Sequence, residues 1–145
     1  MKVLLQRTRE ARVTVDDETL GATGPGLLLF LGAEKNDDDA HAHRLASRVL
    51  GDRVFPDDEG KMNRSVLDMG GELLVVPQFT LAADTRKGTR PSFSSAAPPE
   101  QGHRLYEVFV AALREGGITP ATGRFGADMQ VQLINDGPVT FLLES

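Results

Sequence analysis

Met129-Gln130-Val131-Gln132-Leu133-Ile134, then Asn135-Asp136-Gly137-Pro138, then Val139-Thr140-Phe141-Leu142-Leu143 is the stretch from which the fold is read. Both outer runs, Met129 to Ile134 and Val139 to Leu143, are strand-like, and a Gly-Pro step joins them. On bare sequence the step is an ordinary turn, since only about 5–6% of X–Pro bonds are cis. Two strands at the C-terminus make the domain strand-rich from its last element backwards.

Working outward, Glu72 to Leu81 is the clearest strand of the middle, its apolar run Leu73 to Val76 ending in Pro77-Gln78-Phe79-Thr80. Gly26 to Gly32 reads as a buried strand, and residues 2–6 and 11–15 as two more. Asn36, followed by Asp37, Asp38 and Asp39, predicts a helix start: a capping side chain, then acids against the positive end of the dipole. Ala42, Leu45, Ala46, Val49 and Leu50 form that helix's apolar face, and Gly51 stops it. Pro56-Asp57-Asp58-Glu59-Gly60 supplies the turn of a hairpin-like stretch. Residues 84–97 are polar, carry Gly88 and Pro91, and predict a functional loop. Pro98-Pro99-Glu100 opens a second helix whose face is Leu105, Tyr106, Phe109, Ala112 and Leu113, ended by Gly116-Gly117. The expected fold class is α/β (mixed α+β): one strand-rich domain over 1–145 with two main helices packed on sheet.

The composition sets outer limits. At 145 residues, with 40% hydrophobic and 26% charged residues, the chain is expected to fold as a single soluble domain. It has no cysteine, which excludes thiolate chemistry and disulfides and suits the cytoplasm. Met1-Lys2-Val3-Leu4-Leu5-Gln6-Arg7 is broken by charge too early for a signal peptide. The longest apolar run, Leu27 to Leu31, falls far short of the roughly 20 residues that span a bilayer. No membrane partner is expected. A net charge of −5 argues against a protein that coats nucleic acid. Two local basic patches remain, Arg86-Lys87-Gly88-Thr89-Arg90 and the set Arg7, Arg9 and Arg12, to be weighed against plain solvated charges.

Familiar hydrolytic equipment is missing. His41 and His43 stand at i and i+2 of a helix, facing different sides, and read as solvated, as does His103. No His-Glu-x-x-His pair, paired-Cys motif, Gly-x-Ser-x-Gly elbow or phosphate-binding glycine run occurs. Asp57, Asp58 and Glu59 read as a solvated turn. Neither a metal nor an organic cofactor is expected. On sequence alone Gln78-Phe79-Thr80 is a strand end, and Phe125 and Met129 are core.

Taken in order, Leu5-Gln6-Arg7, Gly26 to Glu34, Gly60-Lys61-Met62-Asn63, Pro77-Gln78-Phe79-Thr80, Leu81-Ala82-Ala83-Asp84-Thr85, Arg90-Pro91-Ser92-Phe93-Ser94, Gly123 to Gln130 and Asn135 to Thr140 resemble the bacterial D-aminoacyl-tRNA deacylases from end to end. That family hydrolyses the ester linking a wrongly handed amino acid to its tRNA. Its usual segment is Ser-Gln-x-Thr, and this chain has Pro77 in place of the Ser.

The resemblance implies an RNA-dependent deacylase acting on aminoacyl-tRNA as a homodimer, with the active site at the subunit interface. Gln78, through its amide, and Phe79, through its backbone N–H, are then the candidate oxyanion donors, and Thr80, the one hydroxyl of the motif, is suited to positioning water or substrate, with direct attack the lesser alternative. A neighbouring ribose hydroxyl on the RNA is thought to assist, which explains an enzyme without an obvious nucleophile. Gly137-Pro138 is implied to be cis and to enter the partner's site, excluding L-amino acids by rigid main chain while admitting D-amino acids or glycine. Arg7 would brace that motif across the dimer, and Phe125 and Met129 would wall the pocket. Two other readings stay open. Pro77 supports a same-fold enzyme of relaxed chirality acting on small L-aminoacyl-tRNA, and the missing Ser allows a non-catalytic tRNA-binding module.

Overall fold

The two N-terminal strand-like runs are a single strand. In the computed structural model, which describes residues 1–145, β1 spans Lys2–Val15. The charged stretch Arg7 to Glu10 interrupts the apolar pattern but not the ladder, because Thr8 is paired on both sides, with Gly26 and with Asn135. After β1 come β2 (Glu18–Thr23), β3 (Gly26–Gly32), α1 (Asp39–Gly51), β4 (Phe55–Pro56), β5 (Met62–Arg64), a one-turn α2 (Val66–Met69) and β6 (Glu72–Pro77). A 3-10 turn at Phe79–Ala82, α3 (Pro99–Glu115), β7 (Ala121–Thr122) and β8 (Gln130–Glu144) complete the chain. The C-terminal runs have likewise merged, so the Gly-Pro step lies inside β8 rather than between two strands.

β1 organises the sheet. One of its sides carries β8 antiparallel; the other is shared by β3 along Lys2 to Thr8 and by β2 along Ala11 to Val15. β3 then pairs in parallel with β6, and β6 with β7. Alternation along β3 divides the interior: Leu27, Leu29 and Leu31 join the helices, whereas Leu28 packs with Ala11, Val13, Leu74 and Val76 on the other face. Burial on both faces is what parallel strands require, and it explains the unbroken apolar run. All five residues foreseen for the α1 face are buried. On α3 the buried set is Leu105, Tyr106, Phe109, Val110 and Leu113; Ala112 is only half-buried.

Two element boundaries differ from expectation. Asp38, not Asn36, caps α1: its carboxylate accepts the His41 N–H at 3.2 Å, and its own N–H donates to His41 Nδ1 at 3.0 Å. Asp37 is engaged elsewhere, accepting from the Met1 ammonium at 2.8 Å and the Glu34 N–H at 2.7 Å, so the first free carboxylate after it takes the cap. The middle strand stops at Pro77 instead of continuing to Leu81. β3 ends at Gly32; the Gln78 N–H takes the Leu31 carbonyl at 2.8 Å, and beyond it the chain turns, with Leu81 N–H bonding back to Gln78 at 3.2 Å. The short α2 has no counterpart in the apolar pattern and rests on a Ser65–Asp68 capping box.

Candidate active site

The sequence-derived site residues fall into two groups. Around the end of β6, Pro77, Gln78, Phe79 and Met129 line a cavity of about 250 Å³. Pro77 and Phe79 also border a larger, mainly apolar cavity of about 470 Å³, walled by Leu31, Phe93, Tyr106 and Phe125. Pro77, Phe79 and Gly126 thus border both. The Pro77 nitrogen costs the ladder nothing: Gln78 N–H points to β3, so strand alternation turns position 77 the other way, where β7 has already ended.

Gln78 is held by close backbone approach. A Cβ on Gly32 would stand 2.8 Å from the Gln78 carbonyl oxygen and 2.9 Å from Leu81 Cβ. The Gln78 side-chain amide donates to the Thr80 hydroxyl. That engages one amide hydrogen, leaving the other, and the hydroxyl proton of Thr80, to face solvent or a ligand. Phe79 opens the 3-10 turn, so its N–H has no partner within the turn. Phe79 is 57% exposed, and its ring meets that of Phe93, itself 45% exposed, at a centroid separation of 5.2 Å.

Behind Phe125 the structure reveals a contact that the sequence reading lacks. His103 lies flat on the Phe125 ring, with centroids 4.8 Å apart and planes 6° apart, and its Nε2 stands 3.2 Å from Glu107 Oε1. The only foothold in sequence is the placement of Gly102 and His103 one turn before Tyr106. Tyr106 is buried against the same wall, and burial pushes its hydroxyl up to about 12. It stays a neutral donor at any physiological pH.

The second group surrounds the Gly-Pro step. Between the pairs Gln6–Thr140 and Thr8–Asn135, the four residues Asp136 to Val139 stand opposite Arg7 alone, a wide bulge in β8. The Gly137–Pro138 bond is cis, and Gly137 has φ +131°. Asn135 closes the bulge from both ends: its Oδ1 accepts the Val139 N–H at 3.2 Å, and its Nδ2 donates to Thr140 Oγ1 at 3.0 Å. Arg7, its side chain 11% exposed, braces the bulge of its own chain: Nε donates to the Asp136 carbonyl at 3.1 Å and Nη1 to the Val54 carbonyl at 2.7 Å. Arg9 also faces Asp136, at 3.6 Å, and Arg12 pairs with Gln132. The second candidate basic patch is therefore spent on internal partners.

The two groups do not meet within one chain. Neither Gly137 nor Pro138 lines either cavity beside Gln78. Arg7 is paired with Leu27, and Pro77 with Leu31, so the two stations are separated by four residues, about 13 Å, along β3 alone.

The family model for D-Tyr-tRNA(Tyr) deacylase matches residues 4–144. A D-aminoacyl-tRNA deacylase of Alkalilimnicola ehrlichii is 60% identical over 98% of this chain and 95% of its own. Another, from Cronobacter sakazakii, is 59% identical over 99% of each chain. Among solved structures, one titled c-Myc DNA Unwinding Element Binding Protein superposes with a TM-score of 0.95 at 40% identity, covering 100% of this chain and 99% of that one. A probable eukaryotic D-amino acid tRNA deacylase shares the fold at a TM-score of 0.83 and 18% identity, over 99% of this chain and 98% of that one. With the family model matched over nearly its whole length, this chain belongs to the D-Tyr-tRNA(Tyr) deacylase family.

Proposed function

We infer that the protein is a hydrolase cleaving the ester between a D-amino acid, or glycine, and the 3′-terminal ribose of tRNA. The observation that carries this reading is the Arg7-braced bulge, on which Gly137 and Pro138 are exposed. In the reaction a water oxygen attacks the ester carbonyl, the carbonyl oxygen takes up negative charge, and the ribose oxygen departs with a proton. The free amide hydrogen of Gln78 and the N–H of Phe79 are suited to that oxyanion, and Thr80 to holding water or substrate. The ribose hydroxyl beside the ester assists, so the protein's share is orientation and charge stabilisation. No metal or organic cofactor is needed for it.

Chirality is read by exclusion against Gly137-Pro138, with Phe125 and Met129 as walls of the pocket. Because the bulge and Gln78 lie apart in one chain, a second copy supplies the bulge, and the working unit is a homodimer. β8 supports this arrangement. It is paired only with β1, and Ile134, Phe141 and Leu142 on it are 50%, 42% and 51% exposed. An apolar edge of that kind is what monomers avoid and interfaces use. No helix is long and apolar enough to cross a membrane, and the substrate places the enzyme in the cytoplasm.

The test is turnover of D-tyrosyl-tRNA against L-tyrosyl-tRNA. Hydrolysis of the D-ester faster by roughly a hundredfold or more is expected, because exclusion penalises only the wrong hand. Equal rates on the two, or faster loss of small L-aminoacyl esters, would replace this reading by the relaxed-chirality enzyme that Pro77 supports. No hydrolysis at all would leave a binding module.

A further inference from the structure

We propose that the loop from Thr85 to Arg90 is a phosphate grip for the RNA strand that leads into the candidate site, with Lys87 and Arg90 as its two cations. The proposal rests on the deacylase reading for the identity of the RNA, but not for the grip itself. The loop stands on a fixed base. Asp84 and Ser92 exchange both backbone hydrogen bonds, at 2.7 and 2.9 Å, and Ser95 Oγ ties the outgoing strand to the Ala82 carbonyl at 2.9 Å. From Thr85 to Ser94 every residue is exposed, and Gly88 turns the tip with φ +67°.

Its charge is not balanced. The one acid at its base, Asp84, is saturated by Arg86: Nε at 2.9 Å, Nη2 at 2.8 Å and the backbone N–H at 3.0 Å. Those bonds hold the Asp84 carboxyl down at about 2, with Lys2 adding to the effect. Lys87 and Arg90 enter no ion pair, in a chain whose net charge is −5. Thr85 and Thr89 add exposed hydroxyls, which are common phosphate donors. The loop leaves directly from the Phe79–Ala82 turn and returns at Phe93, which walls the 470 Å³ cavity. Arg90 is three residues from Phe93, at most about 11 Å along the chain. A strand whose last nucleotide enters that cavity from the Phe93 side carries its preceding phosphates past this loop.

The experiment uses a fluorescein-labelled, uncharged RNA minihelix ending in single-stranded CCA. Its dissociation constant for the full-length protein is measured by anisotropy between 25 and 200 mM salt. The variant is K87Q/R90Q; the control, R44Q/R114Q, removes the same charge from two unpaired, exposed cations on α1 and α3. For two lost contacts to a single strand the log–log salt slope should fall by about 1.4, with binding at 50 mM salt weaker by roughly tenfold or more. The control should keep the wild-type slope. An identical slope in K87Q/R90Q and R44Q/R114Q, or no salt-dependent binding of the RNA at all, overturns the grip. Failure of the deacylase reading shows separately, as absent turnover of D-tyrosyl-tRNA in the wild-type protein.

Discussion

Gly137 is the residue at which conformation and proposed chemistry cannot be separated. With φ at +131° it occupies backbone space that L side chains rarely adopt, and an added Cβ would come within 2.7 Å of Val139 Cγ2 and 3.2 Å of Arg7 Nη2. Gly137→Ala should therefore lose stability, by about 1–3 kcal/mol, seen as a lower urea midpoint. If the main chain of the bulge is the filter, the folded variant must also lose D-substrate turnover or its D-over-L preference. Turnover and preference both unchanged in folded Gly137→Ala would sink the filter and leave the step a structural bulge. Arg7→Lys probes the brace. A single ammonium cannot serve the Asp136 and Val54 carbonyls together as the guanidinium does, so one is left without its donor. A loss of about 1–3 kcal/mol is expected, with turnover falling alongside it. Wild-type stability in Arg7→Lys would remove the brace from the argument. Residues such as these explain what the sequence could and could not reveal. The Gly-Pro step with Asn135, and Gln78, stood out as motifs, but the Val54 carbonyl that anchors Arg7 and the His103 ring stacked on Phe125 did not: those contacts join segments far apart in the chain, which no local pattern encodes.

At the scale of elements, the apolar pattern located β1, β3, β6, β8 and both long helices, missed β2 and β7, and failed where polar residues lie inside a ladder. Arg7 to Glu10 split β1, and Asn135 to Pro138 split β8, because a strand's pairing is decided by backbone partners and not by its own side chains. Helix starts fail for a different reason. Asn36, Asp37, Asp38 and Asp39 are all acceptable caps in isolation, and the tertiary engagement of Asp37 selects Asp38. This cap has a pH signature. Accepting the His41 N–H holds the Asp38 carboxyl below its ordinary value. A carboxyl depressed in the folded state stabilises above its unfolded pKa, about 4, and that contribution fades as pH falls through the folded value. Asp38→Asn, which keeps an acceptor but cannot titrate, should flatten the dependence of thermal stability on pH below about 4. Asp38→Ala should lower the melting temperature at pH 7. A pH profile for Asp38→Asn that superposes on wild type would show that the Asp38 charge plays no part in holding α1.

For the molecule as a whole, the decisive matter is which copy supplies which half of the site. A two-fold dimer built on the β8 face would carry each bulge towards the partner's Gln78-Phe79-Thr80, giving two identical composite sites. Sedimentation should then report a dimer at micromolar concentration, and Leu142→Lys, which puts a charge on the exposed edge, should yield folded monomers without turnover. Size alone does not prove sharing, since a dimer could hold two self-sufficient sites. Mixing does. One chain carries Gly137→Ala and the other Gln78→Ala, after each alone has been shown to lack D-substrate turnover. If sites are shared, a mixed dimer contains one site in which both halves are intact and one in which both are damaged. After free exchange at equal concentrations half the dimers are mixed, so activity should return to about a quarter of wild type. If each chain completes its own site, every site in the mixture carries one lesion and no activity returns. A null result is informative only when exchange has been verified, for example by fluorescence transfer between labelled chains. With exchange verified, failure to recover activity would place Gly137-Pro138 and Gln78 in the service of the same chain, despite their separation along β3, and the homodimeric site would have to be abandoned.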